Sequence, residues 1–149
     1  MAPADWQLAL NQRVIQPAVL ASLNYGFAPP TFALLETTGR RTGLKRTLPV
    51  ANGLQGDTFW LIAGRGEQAA YVHNIRADPR VRVKARPARL RDGFRFEWRS
   101  GTAHPLPDDD ADARHELLGR GRPGYRLDGI ALRALAAGGR MLTIRIDLD

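Results

Sequence analysis

The sequence predicts a mainly β fold with flanking helices, an α+β chain built around a small antiparallel barrel or half-barrel. Short runs of alternating or β-branched apolar residues recur at 31–36, 47–54, 58–63, 80–86 and 141–148. Turn formers separate several of them, notably Gln55-Gly56-Asp57 and Asp92-Gly93. Helical periodicity is confined to short segments at the margins of this β-rich body.

Residues 5–24 carry Leu10, Val14, Pro17, Ala18 and Ala21 on roughly one helical face, with Pro17 as a kink. Ala28-Pro29-Pro30 closes that helix as a stiff connector. Strand 31–36 follows, then a basic loop, then strand 47–54. Strand 58–63 is apolar on both faces, so it is expected to be central in a closed sheet. Gly64-Arg65-Gly66 ends it. Residues 67–77 read as a short helix with Val72 and Ile75 inward, Tyr71 a candidate beside them, and His73 and Asn74 as polar groups on its face, stopped by Asp78-Pro79.

In the strand 80–86, Arg80, Arg82, Lys84 and Arg86 share one face while Val81, Val83 and Ala85 share the other. Phe94, Phe96 and Trp98 then alternate with Arg95, Glu97 and Arg99. Residues 105–113 read as an acidic, proline-bearing connection into a helix near 111–118. The run Asp108-Asp109-Asp110-Ala111-Asp112 suits that helix's N-terminus, where carboxylates favour the dipole. A glycine- and arginine-rich loop at 119–124 and a short helix at 130–137 lead to the final strand. No repeat or boundary divides the chain, so residues 1–149 are expected to form one domain.

With 149 residues, 44% of them hydrophobic, the chain can bury a sizeable core. The formal charge is +7, and 20 of the 22 cations are arginine, the residue suited to bidentate grip on phosphate or carboxylate. The absence of cysteine excludes disulfides, thiolate metal sites and cysteine nucleophiles. His73, His104 and His115 lack metal-ligand spacing, and Ser22 and Ser100 lie outside any nucleophile elbow. No metal site and no hydrolytic triad is therefore expected. The basic strand 80–86 lacks the interleaved aromatics that stack on single strands, so no nucleic-acid partner is expected. The N-terminus lacks a basic signal-peptide region, and the apolar run 17–23 is far too short to span a bilayer. A cytoplasmic protein is expected, with peripheral membrane contact through the first helix left open.

The strongest motif is Gly39-Arg40-Arg41-Thr42-Gly43-Leu44-Lys45-Arg46, where an apolar strand stops at a glycine and cations crowd the turn. Such a loop can offer several backbone N–H groups and guanidinium forks to one anion. It is not a Walker loop, because the Gly-Lys-Ser/Thr ending is missing. By spacing alone, a solvated basic hairpin is the commoner explanation of such a loop.

The run Leu34-Leu35-Glu36-Thr37-Thr38-Gly39-Arg40-Arg41-Thr42-Gly43, followed by Arg46 and Pro49-Val50, resembles the signature of the deazaflavin (coenzyme F-420)-dependent nitroreductase family, flavin/deazaflavin oxidoreductases of actinobacteria. Ile62-Ala63-Gly64-Arg65-Gly66 and His73-Asn74-Ile75-Arg76-Ala77-Asp78-Pro79-Arg80-Val81 continue the resemblance in order. The resemblance implies a split β-barrel of the FMN-binding type and coenzyme F-420 as hydride carrier, with FMN as the alternative. It implies a reductase of a quinone, a nitroaromatic or an activated alkene, acting on a small-molecule acceptor as monomer or homodimer. A non-catalytic deazaflavin or anion carrier is the competing class.

By the same resemblance, Arg40, Arg41, Thr42, Gly43 and Arg46 grip the coenzyme's phosphate and acidic tail, and Pro49 and Val50 lie near its ring. Ala63, Gly64, Arg65 and Gly66 line the ring from the next strand end, and the segment from Tyr71 to Asn74 closes the side. Where many members read Trp-Tyr-x-Asn, this chain reads Tyr71-Val72-His73-Asn74, a departure that bears on the substrate pocket. Tyr125 is the nearest candidate for a substrate-side tyrosine. No catalytic residue is assigned.

Overall fold

A computed structural model describes residues 32–87, 96–120 and 140–149. The expected helices at 5–24 and 130–137, the Ala28-Pro29-Pro30 connector, the Asp92-Gly93 turn, Phe94 and Tyr125 lie outside the described residues.

Among the described residues, seven strands form one sheet in the order β2-β1-β5-β6-β7-β4-β3. They are β1 (Phe32–Thr38), β2 (Lys45–Ala51), β3 (Leu54–Gln55), β4 (Thr58–Ala63), β5 (Arg80–Lys84), β6 (Trp98–Leu106) and β7 (Leu142–Leu148). Every ladder is antiparallel. Between β4 and β5 run a 3-10 turn, Gly66–Gln68, and helix α1, Ala70–Ala77. Helix α2, Ala111–Gly119, follows β6.

Alternation drives the curl. One face of each strand supplies the same core: Ala33 and Leu35 from β1, Phe59 and Leu61 from β4, Val81 and Val83 from β5, Ile144 and Ile146 from β7. Leu48, Val50 and Leu54 from the two edge strands pack on it as well. A flat sheet could not bring both edges to one cluster, so the sheet bends into a half-barrel. Val72 and Ile75 of α1 plug it, both essentially buried. Helix α2 lies over the opposite face of β4, where Ile62, Ala111 and Leu118 cluster with Trp60 and Met141 beside them. Asp110 caps α2, its side chain accepting a hydrogen bond from Ala113 N at 3.1 Å, which matches the reading of the acidic run as a helix start.

Three expectations are corrected. Strand 58–63 is not central in a closed sheet; it lies between β7 and the two-residue β3. Its apolar outer face is covered by α2 rather than by closure. The second strand does not run to Leu54, because the chain turns at Asn52-Gly53. There the buried Asn52 side chain accepts from Leu54 N at 3.1 Å and donates to Arg86 O at 2.7 Å. Gly53 backs onto Trp60 so closely that a Cβ would lie 1.8 Å from its carbonyl oxygen. Pro105 belongs to β6 rather than to a connection. It pairs with Ile144 of β7 beyond the point where β5 has ended, so its missing N–H leaves no ladder bond unmade.

The basic strand carries no aromatic of its own, but Phe96, just before β6, and Trp98, at its start, stand against it from the adjacent position. Lys84 Nζ lies 4.8 Å from the Phe96 ring centroid, Arg82 4.9 Å from Trp98 and Arg86 5.1 Å from Phe96. Arg80 is engaged too, with Nη2 2.7 Å from Asp149 Oδ2. The cations of this face are thus held by rings and carboxylates of the fold itself.

Candidate functional site

The β1–β2 hairpin is wide, with Thr38 opposite Lys45 and Gly39–Leu44 as its loop. Local chemistry shapes that loop. Gly39 N donates to Leu44 O at 2.7 Å, Gly43 N to Gly39 O at 2.8 Å, and Leu44 N to Thr42 Oγ1 at 3.2 Å. Gly43 has φ 71°, a left-handed conformation that a side chain would strain. A Cβ on Gly39 would lie 3.1 Å from both Leu44 O and Thr42 Oγ1, so glycine lets the loop fold tightly onto itself. Arg40 N–H is also committed, to Asn74 Oδ1 at 3.2 Å. Among the described residues, only the Arg41 and Thr42 amides of this loop find no acceptor, so the several free N–H groups expected of it reduce to these two.

The loop, the end of β1, the start of β2 and the first turn of α1 enclose a cleft of about 370 Å³. Its lining includes Arg40, Arg41, Thr42, Arg46, Tyr71 and Asn74 from the sequence-based set. Thr37, Gly39, Thr47, Leu48 and Ala70 complete it. Pairing explains the grouping: Thr37 faces Arg46 and Leu35 faces Leu48, so hydroxyl, guanidinium and isobutyl rise from one face of the hairpin. Among the described residues, no acid lines the cleft. The one carboxylate of the motif, Glu36, is on the alternate face, buried and held by Arg82 Nε at 2.8 Å and Nη2 at 2.7 Å. That hydrogen-bonded guanidinium, with smaller help from Lys45, keeps the Glu36 carboxyl below its ordinary value.

The three cleft arginines differ. Arg40 Nη1 donates to Asn74 Oδ1 at 3.1 Å and to Ala70 O at 3.4 Å. Arg41 and Arg46 are exposed and make no hydrogen bond or ion pair with any described residue. Asn74 is not a polar group on the outer helix face, as its spacing suggests. It is 6% exposed and its Nδ2 donates to Thr37 Oγ1 at 3.1 Å, so α1 is pinned to β1 through an amide. Tyr71 packs against the main core and lines the cleft, and burial pushes its phenol above the ordinary tyrosine value.

The remaining sequence-based site residues lie outside this cleft. Gly43 is at the loop's far shoulder. Val50 packs on the core beyond Leu48, and alternation turns Pro49 to the opposite face. Ala63 is fully buried in the core, Gly64 is buried, and Gly66 is pressed so closely on Arg140 that a Cβ would lie 2.1 Å from its carbonyl oxygen. Arg65 is exposed beside them. Thr37, Thr47 and Leu48 were legible in principle, since hairpin pairing about Gly39–Leu44 puts them beside the arginines. Ala70 enters only through the docking of α1.

The family model for F420H(2)-dependent quinone reductases matches residues 19–146. The chain belongs to this family. A family relative in Mycobacterium tuberculosis, named an F420H(2)-dependent quinone reductase, is 31% identical over 88 residues, covering 57% of this chain and 52% of the relative. The chain thus spans about half the length of the curated relatives it matches. Among solved structures, an F420-H2 dependent reductase superposes with a TM-score of 0.52 at 17% identity, covering 78% of this chain and 93% of that one. A protein described as a domain-swapped dimer superposes with a TM-score of 0.54 at 18% identity, covering 97% and 98%. These likenesses show the fold, the split barrel of the F420 reductases, which the half-barrel topology matches. Among the described residues, no helix is long and apolar enough to cross a membrane.

Proposed function

We propose that the cleft beneath the Gly39–Leu44 loop holds the phosphate-bearing part of coenzyme F420, and that the protein is a cytoplasmic reductase that passes hydride from the reduced deazaflavin to a quinone. The observation that carries this reading is the donor set: among the described residues, three arginines and no acid line one cleft, and two of the three have no partner. A phosphodiester with an acidic tail is the ligand chemistry this set fits. The fit extends to size, since about 370 Å³ is at the small end of ligand pockets and suits the anionic part of a large coenzyme better than its whole.

When bound, the coenzyme supplies the hydride, so the chain itself needs no nucleophile or metal. Its residues would bind and orient. Arg41 and Arg46 offer whole guanidinium forks, and the Arg41 and Thr42 amides add two backbone donors. Leu48 and the Tyr71 ring give the cleft an apolar wall that excludes water and strengthens each charge contact.

The test is a titration of purified protein with oxidised F420 and, separately, with FMN, followed by turnover of reduced F420 with menadione as acceptor. Micromolar F420 binding and quinone-dependent oxidation are expected. Preference for FMN, or no binding of either, overturns the proposal. Nitroaromatics and activated alkenes in the same assay define the acceptor range.

A further inference from the structure

We infer that Asn74 is a positioning residue: it presets Arg40 to present one guanidinium edge to an anion, without touching the ligand itself. This deepens the proposed function and rests on the cleft being the coenzyme's anion site.

The argument starts from how a guanidinium divides its donors. Elsewhere in this protein guanidinium edges hold carboxylates side-on, through Nη1 and Nη2 at Arg80 and through Nε and Nη2 at Arg82 and Arg114. Arg82 grips Glu36 that way at 2.8 and 2.7 Å, and Arg114 grips Asp109 at 3.3 and 3.1 Å. In Arg40 the opposite nitrogen, Nη1, is tied back to Asn74 Oδ1 at 3.1 Å and Ala70 O at 3.4 Å. Its Nε and Nη2 bond no described residue. The edge that takes carboxylates at Arg82 and Arg114 is therefore left for the cleft, and the side chain is fixed before any ligand arrives.

Asn74 is built for that role. Its amide oxygen accepts twice from one residue, from Arg40 N at 3.2 Å and from Nη1. Its amide nitrogen donates to Thr37 Oγ1 at 3.1 Å, which fixes which end of the amide faces the arginine. All three partners belong to the protein. With the residue 6% exposed, its oxygen already accepting twice and one amide hydrogen donated inward, the ligand's natural contact is the arginine. An amide, unlike a carboxylate, holds the guanidinium without cancelling its charge.

Asn74→Ala and Asn74→Asp separate these statements. Hydrogen exchange of the Arg40 backbone amide, read by NMR without ligand, should accelerate about tenfold or more in Asn74→Ala, with Gly43 N–H unchanged. Asn74→Asp keeps the acceptor, and Thr37 can turn its hydroxyl to donate, so Arg40 N–H should stay protected. The new carboxylate should nonetheless lower F420 affinity about tenfold by neutralising Arg40. In a double-mutant cycle, Asn74→Ala should weaken F420 binding about tenfold in the wild-type and Arg46→Ala backgrounds and have no effect on top of Arg40→Ala. Unchanged Arg40 exchange in Asn74→Ala, or wild-type F420 affinity in Asn74→Asp, overturns the inference. If Asn74→Ala does not fold, Asn74→Asp still decides through its exchange and affinity. If the wild type fails to bind F420, the proposed function falls, and Arg40 exchange still reports whether Asn74 presets the arginine.

Discussion

Replacing Arg46 with alanine separates a residue that serves the fold from one that serves a ligand. Arg46 is exposed, and no described residue accepts from it, so truncation leaves no buried group unsatisfied. Surface changes of that kind shift stability by about 0.5 kcal/mol or less. Binding should respond differently. A charge-assisted hydrogen bond to phosphate is worth about 1.5–3 kcal/mol, and each 1.4 kcal/mol or so is a factor of ten. Arg46→Ala should therefore weaken F420 binding by about 10- to 100-fold with an unchanged thermal midpoint. Arg46→Lys, which keeps the charge and loses the fork, should fall between. Arg40→Ala gives the contrast, because it removes the Nη1 bonds to Asn74 and Ala70 and should lower both affinity and melting temperature. Fluorescence titration at two salt concentrations, with a thermal melt of each variant, makes the measurement. Affinity of Arg46→Ala within about twofold of wild type would refute the reasoning, as would a melting loss matching that of Arg40→Ala.

Gly56 and Gly66 have nearly the same φ, 59° and 56°, yet a Cβ meets nothing within 4 Å at Gly56 and lies 2.1 Å from Arg140 O at Gly66. Gly56→Ala should cost about 1–2 kcal/mol from backbone strain alone, and Gly66→Ala distinctly more by chemical denaturation, with equal losses contradicting the close contact. Glu36 is held below its ordinary value by the hydrogen bond from Arg82, so the pair's contribution is complete above the unfolded glutamate range and fades as pH falls through the folded value. Glu36→Gln should lower stability at pH 7 and flatten its decline on acidification, and parallel pH profiles for the two proteins would show that the pair does not matter. Arg114 stacks 4.2 Å from the Trp60 ring centroid and pairs with Asp109, whose carboxyl it holds below the ordinary value. Arg114→Ala should cost about 1–2 kcal/mol and change Trp60 fluorescence, whereas an unchanged spectrum would place the guanidinium away from the ring.

Strands whose inward residues alternate were legible, because period-two patterning is local: β1, β4, β5 and β7 fall close to where the side chains place them. The hairpin at Gly56 and helix α1, stopped by Asp78-Pro79, follow from equally local chemistry. What escaped was set by neighbours distant in sequence. Asn52-Gly53 reads as continuing strand until Trp60 presses against Gly53. Strand β4 reads as the middle of a closed sheet because nothing local says that α2 covers Ile62. The same division runs through the candidate site. Arg40, Arg41, Thr42 and Arg46 are visible as one crowded loop, and pairing across it could have added Thr37 and Leu48. The inward turn of Asn74 was not visible, since helical spacing alone gives it an outer face and only Thr37 and Arg40 give it a reason to be buried.

The anchoring of Arg40 to a helix 34 residues away has a consequence for the order in which the cleft comes into being. The β1–β2 hairpin closes over a short loop, so Arg41, Arg46 and Thr37 can meet early in folding, before distant segments arrive. Arg40 acquires its set edge only when α1 docks, a step that must first overcome the entropy of a long loop. A chain caught between these stages would hold a weak, two-arginine form of the proposed anion site, and the finished chain its three-arginine form. Any anion that prefers the finished site then favours the docked helix by mass action, so ligand binding and the last packing step of this half-barrel are two readings of one equilibrium.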